Sequence, residues 1–170
     1  MIAKLEEQKQ QTLKAVVDLL NSRVPAAEQS ELTRFIAHYF AQVDAEDIVT
    51  RNPDDLYGAA MAHYAFSRSF CSGAPKIRVY NPKLEEPGWA STSTVVEIIN
   101  DDMPFLVDSV TMEVNRLGYS LSQLIHPMFR TQRNANHELQ TAMADEGAGS
   151  AESFIHIEIN RESDPVRLQA

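Results

Sequence analysis

The chain has 170 residues, 44% of them hydrophobic and 23% charged, with 6 glycines and 8 prolines. That is enough apolar material for one good core or two small ones, and it excludes a collagen-like or wholly disordered chain. The 15 Lys and Arg stand against 24 Asp and Glu, a net charge of −9, so the surface repels phosphate and makes nucleic acid and anionic membranes poor partners.

No apolar run approaches the roughly 20 residues that span a bilayer. The opening MIAKLEEQKQQ is too polar for a secretory signal. The single cysteine, Cys71, rules out an internal disulfide. These features fit a cytoplasmic protein.

Residues 1–72 predict helices. Over 2–20, Leu5, Leu13, Val16, Val17 and Leu20 form a thin apolar stripe, strong only in its second half. The Glu/Gln/Lys-rich first turns are expected to fray or face solvent. Ser30 is a fair N-cap for a second helix, in which Leu32, Phe35, Ile36, Tyr39, Phe40 and Val43 share one wide face. A short helix over 44–50 follows. Asn52-Pro53-Asp54-Asp55 then starts a helix running to about Phe70: Asn caps, Pro takes the first helical position, and two acids meet the positive end of the dipole. Leu56, His63 and Phe70 lie on one side of it, Tyr57, Ala60 and Tyr64 on the other. Such a helix packs on two sides, which favours docking of the helical half on the remainder.

After Ser72-Gly73-Ala74-Pro75 the apolar period changes. Residues 77–80 alternate as a short strand does. Asn81-Pro82 and Pro87-Gly88 bracket a loop around Trp89. The β-branched run TVVEIIN at 94–100 is a strand. Residues 101–118 predict a helix with Met103, Leu106, Val107, Val110, Val114 and Leu117 at helical spacing, Asp102 as its cap and Gly118 as its stop. Residues 119–130 predict one long strand, with Pro127 marking an edge, a bulge or an end. Residues 131–151 are expected to be a flexible loop. SFIHIEIN at 153–160 alternates strictly, with Ile155, Ile157 and Ile159 on the buried face, and Arg161 to Pro165 begins another helix.

The fold class is therefore α+β. A helical segment over 1–72 precedes an incomplete ferredoxin-like β-α-β-β unit over 73–170, truncated at its second helix. Without a last strand, the core strands at 95–100, 119–130 and 153–160 keep an exposed edge, which 77–80 covers in part. Such a chain is expected to be a fragment of a longer protein.

Catalytic patterns are scarce. Gly147 and Gly149 lack the third glycine of a dinucleotide fingerprint and precede a strand. There is no P-loop, no paired-cysteine metal spacing, no His-Glu-x-x-His and no nucleophile elbow. A Cys/His pair involving Cys71 is conceivable, but a lone cysteine at a helix end is most often inert. His126 and His156 are the weak metal candidates: a hairpin around the 131–151 loop would make them cross-strand neighbours, and two imidazoles with an acid can bind a metal. The simpler expectation is two partly exposed sheet histidines, with His38, His63 and His137 solvated or packed. The acidic turn Asn100-Asp101-Asp102-Met103-Pro104-Phe105 leaves a strand and enters a helix. Its two carboxylates oppose an anion and suit an ammonium or amide, so these six residues are the candidate ligand site.

NPDDLYGAAMAHYAFSR, KIRVYNPKLEEPGW, TVVEIINDDMPFLVDSVTMEVNRLGYSLSQLIHPMFR and ESFIHIEINRESDP together resemble the N-terminal region of the large bacterial NAD-dependent glutamate dehydrogenases. The resemblance covers most of residues 30–165. It implies an ACT-like domain, ferredoxin-like in topology, with regulatory or assembly roles. The catalytic lysines, glutamate site and NAD-binding fold are then expected elsewhere in the parent chain, leaving no catalytic or cofactor-binding residue here. In ACT domains that bind amino acids the effector usually lies at the turn matching 100–105, where many members have Pro-Gly. Here Pro104-Phe105 stands instead, and Phe105 either plugs the pocket or faces a partner.

Two functions are expected. One is a non-catalytic regulatory or assembly module, docking on other domains of the parent chain or forming a homo-oligomer through the sheet edge. The alternative is an amino-acid sensor in which Asp101 and Asp102 hold an ammonium. A freestanding enzyme built on His126, His156 and an aspartate is the remote third.

Overall fold

The computed structural model describes residues 2–85 and 88–169. Residues 86 and 87, in the loop expected around Trp89, lie outside them. Helix α1 (Ile2–Arg23) is regular from Ile2, with its first turns facing solvent as expected, and Lys9 anchors it further along. Its side chain is buried, and its ammonium donates to the carbonyls of Val43 at 2.7 Å and Ala41 at 3.4 Å. A charge expected in solvent thus pins α1 to the turn after α2. Helix α2 (Ala26–Tyr39) begins four residues before Ser30, behind Pro25. The earlier start places Gln29 where its amide donates to the carbonyls of Asn21 and Val24 at 3.0 and 2.9 Å, closing the end of α1.

Helix α3 (Ala45–Val49) is one short turn, and α4 (Pro53–Ser67) follows. Asn52 caps α4 as expected, its Oδ1 accepting the Asp54 N–H at 3.0 Å. The helix stops three residues short of Phe70, where the Lys76 ammonium takes the carbonyls of Phe66 and Ser69 at 2.7 and 2.8 Å.

Six strands follow: β1 (Lys76–Tyr80), β2 (Thr94–Asp101), β3 (Leu121–Ile125), β4 (Met128–Arg133), β5 (Leu139–Thr141) and β6 (Ser150–Ile159). Helix α5 (Leu106–Arg116) connects β2 to β3, and α6 (Pro165–Gln169) ends the described chain. The pairs are antiparallel, and β6 is central. It has β2 on one side, and on the other β3 beside its second half and β4 beside its first. Strands β2 and β3 are therefore parallel to each other, with β6 between them and α5 as the crossover, which is the split β-α-β of a ferredoxin-like unit. Strand β1 pairs with the outer edge of β2. That is the place a fourth strand takes in the complete unit, so the residues expected to cover part of the sheet fill the edge beside β2 from the N-terminal side.

Several expectations for the second half also need correction. The single strand over 119–130 is two strands, broken at His126-Pro127. Proline has no N–H for the ladder, its carbonyl accepts from Phe154 at 2.9 Å, and pairing resumes at Met128. The 131–151 loop contains the end of β4, all of β5 and the start of β6. Asn134 turns it, its Oδ1 accepting the N–H groups of Asn136 and Glu138 at 2.9 and 3.0 Å. Helix α5 starts at Leu106, five residues after 101, and Asp102 does not cap it. Pro104 disfavours helical backbone at Met103, and Phe105 takes the cap position in a left-handed conformation (φ 66°). The other end is as expected: Gly118 (φ 83°) donates to Asn115 and Tyr119 to Val114, at 3.0 and 3.1 Å, which is a Schellman stop.

Strand β6 is buried on both faces, not one. Ile155, Ile157 and Ile159 pack with Ile98 and Val114 under α5. Phe154 faces the other way, joining Ile99 and Phe129 of the sheet to Leu20, Phe35, Ile36 and Phe40 of the helices in one shared core. Phe35 stacks on Phe129 with centroids 4.7 Å apart and planes 14° apart. The helical half thus packs on the sheet, as the two-sided apolar pattern of α4 requires.

Trp89 fits against α4 only because residue 58 is glycine. A Cβ there would lie 2.2 Å from Trp89 Cβ. Gly58→Ala gains about 1 kcal/mol of helix propensity but forces apart two chain segments in a closed contact, for roughly 1–3 kcal/mol. The clash wins, because the atom struck is bonded to the Trp89 backbone and no rotamer removes it. Chemical denaturation of Gly58→Ala is expected to show a lower midpoint; an unchanged or higher one contradicts this packing.

Candidate functional site

The turn at 100–105 holds its six residues in sequence, but its carboxylates are already engaged. Asp101 Oδ2 accepts from Ser72 Oγ and from the Gly73 N–H, each at 2.8 Å. Asp102 Oδ1 accepts from Ser153 Oγ at 2.6 Å, and its N–H donates to Ala151 at 2.9 Å. Asn100 is buried and donates to the Asp101 carbonyl at 3.0 Å. The acids therefore fasten the turn to the 72–73 loop and to β6, and an ammonium ligand would compete with those bonds. Met103 and Phe105 project outward. Phe105 is 76% exposed.

The two candidate histidines do not meet. Ile125 is the residue opposite His156, so His126, one residue on, points to the other face. Burial lowers the His126 pKa, and Asp102 nearby opposes that shift. No cluster of three or more His, Cys, Asp or Glu suited to a metal occurs among the described residues. Cys71 does lie near a histidine, its Sγ 3.8 Å from His137 Nε2, on an exposed surface.

The helix-facing side of the sheet carries a charged layer that strand alternation does not reveal. Glu97 on β2 and Glu152, His156 and Glu158 on β6 are buried, and Glu97 lies directly opposite His156. Each glutamate is held by an arginine. Arg51, between α3 and α4, grips both oxygens of Glu158 at 2.7 and 3.0 Å. Arg133 on β4 does the same to Glu152 at 2.8 and 2.9 Å and also donates to the Ser67 carbonyl at the end of α4. Arg78 on β1 binds Glu97 through Nε and Nη2, and Tyr80 adds a hydroxyl at 2.8 Å. Glu97, Glu152 and Glu158 look solvent-facing in sequence; the available signal is Arg78 and Tyr80 alternating on the neighbouring strand.

Burial alone would raise the Glu158 pKa. The hydrogen bonds and charges of His156 and Arg51 outweigh it and bring the pKa down to about 2. His63 of α4 is fully buried, accepting at Nδ1 from Tyr39 OH (2.9 Å) and donating at Nε2 to the Ile98 carbonyl (3.3 Å). The carbonyl can only accept, which fixes this tautomer. Burial drives the His63 pKa down to about 4, against the pull of Glu97. Tyr39 and Tyr80 are pushed up, first by burial and then by Glu97.

The fold defines an α+β ACT-like domain, and its polar interior is buried. Residues 35–170 match the family model described as "Glutamate dehydrogenase, ACT1 domain". The chain belongs to that family. It is 38% identical over 167 residues to the NAD-specific glutamate dehydrogenase of Halomonas elongata, covering 96% of this chain and 10% of that protein. It is 37% identical over 134 residues to the NAD-specific glutamate dehydrogenase of Pseudomonas aeruginosa, covering 77% of this chain and 8% of that one. The chain therefore spans about a tenth of the length of these relatives. No solved structure matches it. No helix among the described residues is long and apolar enough to cross a membrane.

The lowered His63 pKa sets an acid limit on stability. The unfolded chain takes up the proton near pH 6.5 and the folded chain only near 4, so the contribution is complete above 6.5 and lost as pH falls through that window. Glu158 extends the loss from about 4.5 toward 2, because its folded pKa is the lower one. The unfolding free energy is expected to fall between pH 6.5 and 4 with a His63 slope approaching about 1.4 kcal/mol per pH unit. Urea titrations across that window check it. His63→Gln should flatten the slope, and an equal slope in the variant contradicts the assignment.

Proposed function

We propose that this chain is a non-catalytic docking and regulatory module at the N-terminal end of a large NAD-dependent glutamate dehydrogenase. The parent reaction converts L-glutamate, NAD and water to 2-oxoglutarate, ammonium and NADH. NAD and glutamate bind elsewhere on the longer polypeptide. Family membership, and relatives named for that activity but ten times longer, support this reading.

Phe105 carries the docking role. A bulky residue held at φ 66° is strained by roughly 1–2 kcal/mol. Its side chain is 76% exposed, so little packing within the chain offsets that strain. A return comes if the ring sits on another domain of the parent or on a second protomer, with the turn held rigid from behind by Asp101 and Asp102.

The test is Phe105→Gly in the full-length enzyme. Glycine adopts the backbone without strain, so thermal stability is expected to hold or rise. Light scattering over a dilution series should show assembly weakened by at least tenfold in concentration, or the glutamate kinetics should change. Unaltered assembly together with unaltered kinetics overturns the docking role. Turnover of glutamate with NAD by the isolated chain overturns the non-catalytic assignment.

A further inference from the structure

A polar cavity of about 570 Å³ lies at the end of β2 opposite the 100–105 turn. Its volume falls in the range of small-molecule sites, roughly 300–1,000 Å³. It is lined by Arg51 and Asp55 at the start of α4, by Trp89, Thr92 and Ser93 on the segment leading into β2, and by Glu158 of β6.

These groups hold more hydrogen-bonding capacity than the chain uses. Arg51 gives one N–H from each of Nη1 and Nη2 to Glu158, at 2.7 and 3.0 Å. A guanidinium has five such bonds, and the rest of them have no partner among the described residues. Asp55 is half-buried, and its charge acts on Arg51, yet its carboxylate forms no hydrogen bond or ion pair among the described residues. The hydroxyls of Thr92 and Ser93 are likewise uncommitted there, although the Ser93 N–H donates to Ser91 Oγ at 3.1 Å. Trp89 is 1% exposed, and its Nε1 has no partner. Nor has Nδ1 of the buried His156, whose ring lies 6.1 Å from the indole and whose Nε2 meets Glu158 at 3.2 Å. Folded chains satisfy nearly all buried polar groups, so their surplus around one cavity points to a ligand.

Charge decides what fits. Arg51 neutralises Glu158, so Asp55 leaves the cavity one excess negative charge. An anion would meet two carboxylates, and the lining cation already grips one of them. A simple cation would answer Asp55 and leave the spare N–H bonds of Arg51 unmet. A hydroxyl donates and accepts at once. Adjacent hydroxyls give protons to Asp55 and take N–H bonds from Arg51, and each bond strengthens the next. We propose that this cavity binds a small neutral polyhydroxylated ligand, a sugar or sugar-like polyol, held by Asp55 and Arg51 of the helical half and by Thr92 and Ser93 before β2. The site is independent of the docking role of Phe105.

Hydrogen exchange on the full-length enzyme tests this, with D-ribose, D-glucose and myo-inositol as the probes. At least one is expected to slow exchange over 51–55 and 90–93, saturably and at millimolar concentration, while β6 keeps its rate. Glycine, a zwitterion without hydroxyls, and acetate should have no such effect. Asp55→Asn keeps the side-chain volume and removes the charge; it should raise the half-saturating concentration at least tenfold, the loss of one charge-assisted hydrogen bond. Thr92→Ala, at an exposed position, should raise it about threefold. If Asp55→Asn loosens α4, seen as faster exchange over 53–67 without ligand, Thr92→Ala alone decides. Slowing spread evenly over the module reports exclusion of the polyol from the surface and overturns the proposal. So do a lack of saturation with all three probes, equal protection by glycine or acetate, and wild-type affinity in the deciding variant.

Discussion

Three carboxylates on the inner face of the sheet cannot be left alone, and much of the architecture follows from that. Glu97, Glu152 and Glu158 are each at most 3% exposed. An unpaired buried carboxylate costs several kcal/mol, so each needs a cation brought to it. The cations come from three different places: β1, β4 and the α3–α4 junction. Such pairs add little net stability against an apolar replacement. Their effect lies in position. Arg51 can grip both oxygens of Glu158 only when the α3–α4 junction sits over β6, and Arg133 reaches the Ser67 carbonyl only when α4 ends over β4. The aromatic stack of Phe35 on Phe129 supplies much of the burial, but stacking tolerates sliding and a bidentate pair does not.

This coupling is why helices and sheet form one body. The charged layer sits beside the aromatic core, and His63 belongs to both: it donates to the β2 backbone, accepts from Tyr39 of α2, and lies 5.2 Å from the Phe154 ring. Its neutrality belongs to that geometry, because a proton on Nδ1 would remove the lone pair that accepts from Tyr39 and would leave a charged ring buried. Acid therefore works on the joint between the two halves more than on either alone.

Much of this was legible in the residues. The Asn52-Pro53 helix start, the Gly118 stop, the β-branched β2 and the ferredoxin-like order all follow from local chemistry that tertiary contacts leave intact. What failed did so where long-range contacts decide. Lys9 is polar in any local window, and only the carbonyls of Ala41 and Val43, more than 30 residues away, make it a buried clamp. Alternation in SFIHIEIN gives the correct strand and the correct Ile face, yet suggests solvent for His156 and Glu158, because their shielding comes from α4 and Arg51. At the candidate turn, Pro104-Phe105 in place of Pro-Gly pointed to an altered site. The backbone keeps the left-handed conformation that glycine would take, with Phe105 held in it and turned outward.

Perturbed titrating groups often mark reactive centres, and this chain has several, so the distinction between reactive and structural perturbation matters. A reactive group needs access for its substrate and a free lone pair or proton. His63 and Tyr39 are at most 1% exposed. The ring nitrogens of His63 and the oxygens of Glu158 are bonded within the chain, and the Glu97 oxygens are shared between Arg78 and Tyr80. The perturbation here is the signature of a sealed polar interior, and the groups left at the surface beside the strand–helix turn, Met103 and Phe105, are apolar.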